Sequence, residues 1–251
     1  MKLVKYIFWI AYNLWFYILV LFFTIVVVLP SFIFVLINNK WYKYHYKVGV
    51  LWADLILLFM GMFPVKKGAL KTKKDKSYIF VANHVSMIDV MLLISVIRNN
   101  PLVFIGKKEL EKIPVFGFIY KKTMILVDRS SRESKKKVFE ETKKKIFSGI
   151  SLGIFPEGTI PESNVVLAPF KHGAFTMAIE HNVPIVPITF LDNKRKFPWS
   201  YGSLIGFSKG SPGRLRVNIH NPISTEGLSK EDRIQLSDKV RDLILKDLSL
   251  S

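Results

Sequence analysis

The feature that most constrains this chain is a long apolar run near its amino terminus. No residue from Tyr6 to Asn39 is charged, and the run is rich in Ile, Phe, Val and Leu. It exceeds the roughly 20 apolar residues that a helix needs to cross a bilayer. It is also longer than the apolar core of a signal peptide, which has about 7–15 residues, and no small-residue cleavage site follows it. The run therefore predicts a membrane helix, which Pro30 should kink or end because proline lacks a backbone N–H.

A second apolar stretch extends from Val48 to Val65, with Asp54 as its only charged residue. A carboxylate is costly in lipid, so Asp54 should face protein, water or headgroups. The link between the two stretches combines lysines with Trp and Tyr, as membrane interfaces favour. We expect residues 1–65 to form a two-helix membrane motif and residues 66–251 to form a separate domain. Whether the two helices span the bilayer or lie in one leaflet is left open.

Basic residues give the chain a formal net charge of +18, although half of its residues are hydrophobic. Lysines cluster directly after the second apolar stretch, at Lys66, Lys67, Lys71, Lys73, Lys74 and Lys76. Each adds about 1 kcal/mol of attraction near anionic headgroups, and such clusters mark the cytoplasmic side of a membrane. We therefore expect a bilayer with anionic headgroups as a partner, with the domain on the cytoplasmic face of the cytoplasmic membrane. No nucleic-acid-binding motif accompanies the charge, so no nucleic-acid partner is expected.

Residues 77–251 alternate between short apolar runs and longer amphipathic runs. The strand candidates are Tyr78–Ala82, Leu102–Ile105, Met124–Val127, Leu152–Phe155, Ile185–Phe190 and Leu215–His220. The helix candidates are Met87–Arg98, Arg132–Phe147, Gly173–His181 and Lys230–Leu248. Ser229 and Asp232 would form a capping box at the start of the last helix. The alternation predicts an α/β domain, a mixed sheet flanked by helices, behind the N-terminal two-helix membrane motif.

The segment from Asn83 to Asp89 follows a strand candidate and opens a helix candidate. On one continuous helix His84 and Asp89 would be about 140° apart, so they meet only if His84 precedes the helix. Ser86 provides that break as a helix N-cap, with Asp89 at the third helical position. The spacing then permits an imidazole held by a carboxylate, which is the arrangement of a general base. An ordinary capping box, with His84 as a turn residue, explains the same spacing.

The Asn83-His84…Asp89 segment resembles the H-x4-D motif of the glycerolipid acyltransferase superfamily. The resemblance is closest to the 1-acylglycerol-3-phosphate acyltransferase family, which makes phosphatidic acid. Further segments agree with that family's blocks and follow in the same order. They are FIGKKEL at 104–110, IPVFG at 113–117, VDR at 127–129, FPEGT at 155–159, FKHGAF at 170–175 and VPIVPI at 183–188.

The resemblance implies a role for two residues of the first block. His84 would be the general base that takes the proton from the acceptor hydroxyl, and Asp89 would orient His84 and stabilise its charged form. The resulting alkoxide would attack the thioester of the acyl donor directly, without an acyl-enzyme.

The later blocks would supply substrate-binding residues. Cations of the second block would hold the acceptor phosphate, and the FPEGT block would contact the acceptor, with Gly158 allowing close backbone approach. Lys171 would add a further cation, and the apolar floor near Pro184 and Pro187 would shape the site. The expected substrate-binding residues are Lys107, Arg129, Glu157, Gly158, Thr159 and Lys171.

One position departs from the family's pattern, because Ile160 stands where an arginine usually follows the threonine. A phosphate-binding cation is therefore missing unless Lys107, Arg129 or Lys171 suffices. The alternative acceptor is a lyso-aminolipid, such as a lyso-ornithine or lyso-glycine lipid, which lacks the phosphate. The donor, acyl-CoA or acyl-carrier protein, and its chain length are left open. No metal and no cofactor beyond this co-substrate is implied.

Two competing interpretations belong to other classes. A serine hydrolase acting on lysophospholipids is disfavoured because Ser86, the serine nearest His84, is better explained by capping than as the nucleophile of a G-x-S-x-G turn. A catalytically inactive membrane scaffold would be favoured by substitution of His84 or Asp89, and both residues are present. The chain has no cysteine, which excludes a thiol nucleophile and cysteine-ligated zinc.

Overall fold

The computed structural model describes residues 2–37, 41–68, 76–113, 116–128, 130–162, 164–198 and 209–250. Its strands form one sheet in the order β1-β7-β6-β2-β5-β3-β4. The strands are β1 (Met62–Lys67), β2 (Ile79–Ala82), β3 (Leu102–Lys107), β4 (Ile125–Val127), β5 (Ser151–Ile154), β6 (Ile185–Phe190) and β7 (Gly213–Ile219). Neighbours from β6 to β4 are parallel, whereas β7 runs antiparallel to β6 and parallel to β1. The expected mixed α/β sheet is confirmed.

Helices cover both faces of this sheet. They are α1 (Lys2–Phe23), α2 (Leu29–Ile37), α3 (Tyr42–Phe59), α4 (Asp89–Val96), α5 (Phe116–Thr123), α6 (Arg132–Phe147), α7 (Gly173–Glu180), α8 (Asn193–Lys196) and α9 (Arg233–Ser249). Alternate residues of the central strand β2 face opposite sides, as the two-residue period of a strand requires. Phe80 and Ala82 pack with α1, α3 and α4, while Ile79 and Val81 pack with α6, α7 and α9. Two apolar cores therefore enclose the sheet.

The amino-terminal region is helical, but Pro30 does not end the first helix. The segment Thr24–Val28 widens into a π-helical turn, and the Leu29 N–H donates to the Thr24 carbonyl. The chain then continues as α2 through Pro30. In this π-helical turn the hydrogen bonds join residues i and i+5 instead of i and i+4. The change in hydrogen bonding lets the helix continue through a proline that cannot donate. Within the described part of the chain, one helix, Leu3–Ile33, is long and apolar enough to cross a membrane.

The second apolar stretch forms both a helix and a strand. Asp54 on α3 faces protein, as expected, and accepts hydrogen bonds from Ser95 Oγ at 2.6 Å and Arg98 Nη2 at 2.7 Å. Gly61, at φ 63°, ends the helix in the left-handed region that glycine tolerates. The chain then enters β1, which crosses the boundary expected between residues 65 and 66. Because a short apolar run fits a helix or a strand equally well, the sequence pattern placed Met62–Val65 in the membrane motif.

The packing of α1 on the domain yields a stability prediction. Phe16 is 1% exposed, whereas Phe22 on the same helix is 54% exposed. We expect Phe16→Ala to lower the free energy of unfolding by about 3–5 kcal/mol, because it leaves a cavity in the shared core. Phe22→Ala is the matched control and should change it little. Chemical denaturation of both variants in one detergent measures the difference, and equal stability would show that α1 does not pack on the domain.

Candidate active site

Residues from several of the blocks that resemble the acyltransferases meet at one edge of the sheet, where the parallel strands end, together with Asn193 from outside those blocks. His84 follows β2, Glu157 follows β5, Lys107 ends β3 and Asn193 follows β6. Open α/β sheets place their active groups at this carboxyl edge, because the loops leaving parallel strands converge there. The topology thus brings together residues that lie far apart in sequence.

His84 and Asp89 form a hydrogen-bonded pair at this edge. The His84 Nδ1 lies 2.8 Å from Asp89 Oδ2; the histidine side chain is 21% exposed and the aspartate side chain is fully buried. Because a carboxylate only accepts, Nδ1 donates, and the neutral ring carries its lone pair on Nε2. The ring also stacks on Phe155, with centroids 4.2 Å apart. The tautomer and the plane of the imidazole are therefore both fixed, as a general base requires.

The Asp89 carboxylate also holds the turn that carries His84. Its Oδ2 accepts from the Val85 N–H at 2.6 Å and the Ser86 N–H at 2.8 Å. Ser86 does not stand at the N-cap as expected, because α4 begins at Asp89 with Ile88 in the N-cap position. The Ser86 Oγ accepts from the Ile88 N–H within the turn and donates to the Phe197 carbonyl. Asp89 is instead the first residue of α4. Capping and the histidine–carboxylate pair are therefore not alternatives, since one carboxylate serves both.

Asn83 joins the end of β2 to β6. Its Nδ2 donates to the Phe190 carbonyl at 3.1 Å, and its Oδ1 accepts from the Phe190 N–H at 2.8 Å. These two hydrogen bonds extend the contact between β2 and β6 beyond their last backbone pair, which is Ala82 with Ile188. The residue before the histidine thus fixes where the turn leaves the sheet.

Glu157 is buried and its carboxylate holds backbone groups. It is 4% exposed; Oε1 accepts from the His84 N–H at 2.7 Å, and Oε2 accepts from the Ala168 N–H at 2.9 Å. Burial raises the pKa of the Glu157 carboxyl. This geometry favours support of the His84 turn over contact with an acceptor.

The remaining expected site residues fall into three groups. Lys107, Thr159 and Lys171 are exposed at the carboxyl edge. Gly158, at φ 77°, lies beneath Lys171, and a Cβ there would stand 2.8 Å from the Lys171 Nζ. Arg129 lies outside the described residues.

Pro184 does not belong to the floor of the site, contrary to expectation. It precedes β6, and its carbonyl accepts from the Ile79 N–H at the start of β2. Pro184 therefore lies at the amino edge of the sheet, one strand length from His84. Pro187 lies within β6, opposite Val81 of β2. The block was expected to form the apolar floor of the site, whereas it forms the start and middle of a buried strand.

Two G-x-S-x-G patterns, at 149–153 and 206–210, escaped the sequence reasoning. Ser151 of the first pattern begins β5, is 1% exposed, and its Oγ accepts from the Tyr78 N–H. A hydrolase nucleophile needs an exposed strand-to-helix turn, so this serine does not fit that role. Ser208 of the second pattern lies outside the described residues.

The fold and the edge geometry define an α/β enzyme whose site is built around a histidine held by a buried carboxylate. The chain belongs to the acyltransferase family, whose model matches residues 64–191. Across the described residues, no group of three or more His, Asp or Glu side chains could hold a metal ion. The absence of a cofactor remains a prediction.

Individual relatives bear a more specific name. The chain is 30% identical over 237 residues to the chloroplastic 1-acyl-sn-glycerol-3-phosphate acyltransferase BAT2 of Brassica napus, covering 90% of this chain and 62% of that protein. It is 28% identical to the 1-acyl-sn-glycerol-3-phosphate acyltransferase of Haemophilus influenzae, covering 83% of this chain and 84% of that protein. The crystal structure of the acyltransferase PlsC of Thermotoga maritima matches with a TM-score of 0.76 at 25% identity, covering 98% and 96% of the two chains.

The two hydrogen bonds of Glu157 yield a prediction that separates support from acceptor contact. In Glu157→Gln, one carboxylate oxygen is replaced by an NH2 group, which cannot accept from the backbone N–H that faces it. We expect a loss of about 1–3 kcal/mol in the free energy of unfolding, with a lower kcat and an unchanged KM for the acceptor. Glu162→Gln, at an exposed position nearby, is the matched control. A raised KM at unchanged stability would instead place Glu157 against the acceptor.

Proposed function

We propose that this chain transfers a fatty acyl group from a thioester donor to the free hydroxyl of 1-acylglycerol-3-phosphate, giving phosphatidic acid. The observation that carries the proposal is the pair of His84 Nδ1 and Asp89 Oδ2, 2.8 Å apart, which leaves Nε2 as the acceptor nitrogen of the ring. The names of the relatives from Brassica napus and Haemophilus influenzae support the choice of acceptor. The donor is acyl-CoA or acyl-carrier protein, and the net charge of +18 suits either anionic molecule.

The proposed reaction proceeds without a covalent enzyme intermediate. The acceptor hydroxyl donates to His84 Nε2 and loses its proton to that nitrogen as the oxygen attacks the thioester carbonyl carbon. Asp89 stabilises the imidazolium, as the carboxylate does in other histidine-based acyl transfers. The carbon–sulfur bond then breaks, and the leaving thiolate takes the proton from the imidazolium. The ester is released, and His84 returns to its neutral form.

Exposed cations at the carboxyl edge would bind the acceptor phosphate. Lys107 ends β3, and Lys171 lies over Gly158 of the FPEGT block. The Lys171 N–H donates to the Pro156 carbonyl at 2.8 Å, which ties this residue to the same block. An ammonium at this place compensates for Ile160, where the family's arginine is missing. A lyso-aminolipid acceptor would not need that cation.

The exposed apolar side chains of the amino-terminal helices support the proposed placement at a membrane. Those on α1 with 48–70% exposure include Leu3, Ile7, Leu14, Ile18 and Phe22. Leu58 and Phe59 extend this surface at the end of α3, and the exposed Lys66 and Lys67 follow on β1. Apolar groups followed by lysines suit a bilayer with anionic headgroups. We place the catalytic edge on the cytoplasmic face of the cytoplasmic membrane, where a lysophospholipid reaches it from the leaflet.

The base mechanism predicts the effect of removing the imidazole. His84→Ala should lower kcat by about 10²–10⁴-fold, because a positioned general base contributes that much. The matched control is His220→Ala, because His220 also pairs with a carboxylate, that of Asp247 on α9 at 2.9 Å. Thiol release from acyl-CoA or acyl-carrier protein, with and without lysophosphatidic acid, measures the activity of purified protein in detergent. Equal loss in both variants, or none in His84→Ala, would refute the mechanism.

The phosphate assignment predicts a change in acceptor affinity. Lys171→Met should raise the KM for lysophosphatidic acid about 10–100-fold, the effect of losing one charge-assisted hydrogen bond. The KM for a lyso-aminolipid should not change, since that acceptor has no phosphate. Lys239→Met, at an exposed position on α9, is the control. Faster turnover of the lyso-aminolipid by the wild-type protein, with no effect of Lys171→Met, would favour the alternative acceptor.

A further inference from the structure

Asn193 is a buried polar residue that contacts the Asp89 carboxylate from outside the recognised sequence blocks. It begins α8, shortly after β6 ends, and it is fully buried. Its Nδ2 donates to Asp89 Oδ1 at 2.6 Å, although the two residues are 104 positions apart in sequence. This distance is at the short end for a hydrogen bond between an amide and a carboxylate.

The two oxygens of Asp89 have different partners. Oδ2 accepts from His84 Nδ1 and from the N–H groups of Val85 and Ser86. Among the described contacts, the donor to Oδ1 is Asn193. A buried carboxylate oxygen without a donor is costly, so the carboxylate would rotate or take up a proton if this amide were removed. Either change would disturb the bond between Oδ2 and His84.

The orientation of the Asn193 amide is set by this single bond. Its own Oδ1 is buried and has no hydrogen-bond partner in the described part of the chain. The flipped amide would point that oxygen at the Asp89 carboxylate and lose the donor, so the flip is excluded electrostatically. An acceptor left unpaired in a core lowers stability and calls for an explanation. The donation to Asp89 supplies one.

The backbone around Asn193 is anchored on both sides. Asp192 is buried and its carboxylate accepts from Arg216 Nε and Nη2, each at 2.9 Å. The Phe197 N–H donates to the Asn193 carbonyl at 2.9 Å, and the Phe197 ring packs on Phe16 of α1 with centroids 4.8 Å apart. The amide is therefore presented to Asp89 from a rigid support.

We propose that Asn193 is a positioning residue that fixes the Asp89 carboxylate and, through it, the tautomer and plane of His84. The inference rests on the proposed function, because it assigns Asn193 a role in the general base mechanism. Asn193 need not touch either substrate. Its removal should therefore change kcat and leave the KM for both substrates unaltered.

Two substitutions test this role by steady-state kinetics over a range of pH. Asn193→Ala should lower kcat about 10–100-fold, the effect of losing one hydrogen bond to a charged group, with KM unchanged. Asn193→Asp keeps the shape but sets a second carboxylate against Asp89, so the pair can bond only when it shares a proton. The ratio of Asn193→Asp kcat to wild-type kcat should therefore rise as the pH falls. A merely structural residue would give no such pH dependence.

Asn100→Asp is the matched control, since Asn100 is also buried but lies before β3, at the opposite edge of the sheet. Its kcat relative to wild type should be independent of pH. Wild-type kcat in both Asn193 variants would overturn the inference. So would a kcat of Asn193→Asp, relative to wild type, that is independent of pH as in the control. Should Asn193→Ala fail to fold, the isosteric Asn193→Asp still decides the question. Full activity in His84→Ala would refute the proposed function itself, whereas an inactive His84→Ala beside wild-type Asn193 variants refutes only the positioning role.

Discussion

The burial of the Asp89 carboxylate is the constraint on which the site depends. A charge taken out of water must be surrounded by donors, and Asp89 obtains them from its own turn, from His84 and from Asn193. These donors belong to the β2–α4 turn and to the start of α8, so one side chain fixes two loops against each other. Asn83 strengthens the same junction by its two bonds to Phe190. The rigidity that a general base requires is thus produced by satisfying a buried charge.

The amino-terminal helices are part of the enzyme domain as well as candidates for membrane contact. Tyr42 and Tyr46 on α3 donate to the carbonyls of Leu102 and Ile97, at 2.9 and 2.7 Å. Phe16 on α1 packs on Phe197, whose carbonyl accepts from Ser86 in the His84 turn. Because these helices share a core with the sheet, any position that they take in a bilayer would also set the position of the carboxyl edge. The strand β1 continues this connection directly from α3.

Elements that depend on interactions between residues close in sequence were predicted correctly. The helix Arg132–Phe147 and the strand Ile185–Phe190 have the bounds expected from the sequence, and the Ser229–Asp232 capping box is present. The pair of His84 and Asp89 could also be predicted, since the two residues are only five positions apart in sequence. Asn193 was missed because its bond spans 104 residues, although a polar side chain directly after a buried strand end was a usable signal. For Glu157, the FPEGT pattern does not distinguish contact with a ligand from contact with the backbone of the His84 turn.

The two buried carboxylates also restrict where the reaction's negative charge can be stabilised. The N–H of His84 donates to Glu157, and the next two N–H groups donate to Asp89. These amides point inward and are occupied, so this turn does not provide an oxyanion hole, although loops after parallel strands often do. The Gly158 N–H is likewise occupied, since it donates to the Phe155 carbonyl at 3.0 Å. Under the proposed function, Lys107 and Lys171 are exposed cations at the same edge that would be available to oppose that charge. The same side chains would then take part in both acceptor binding and transition-state stabilisation.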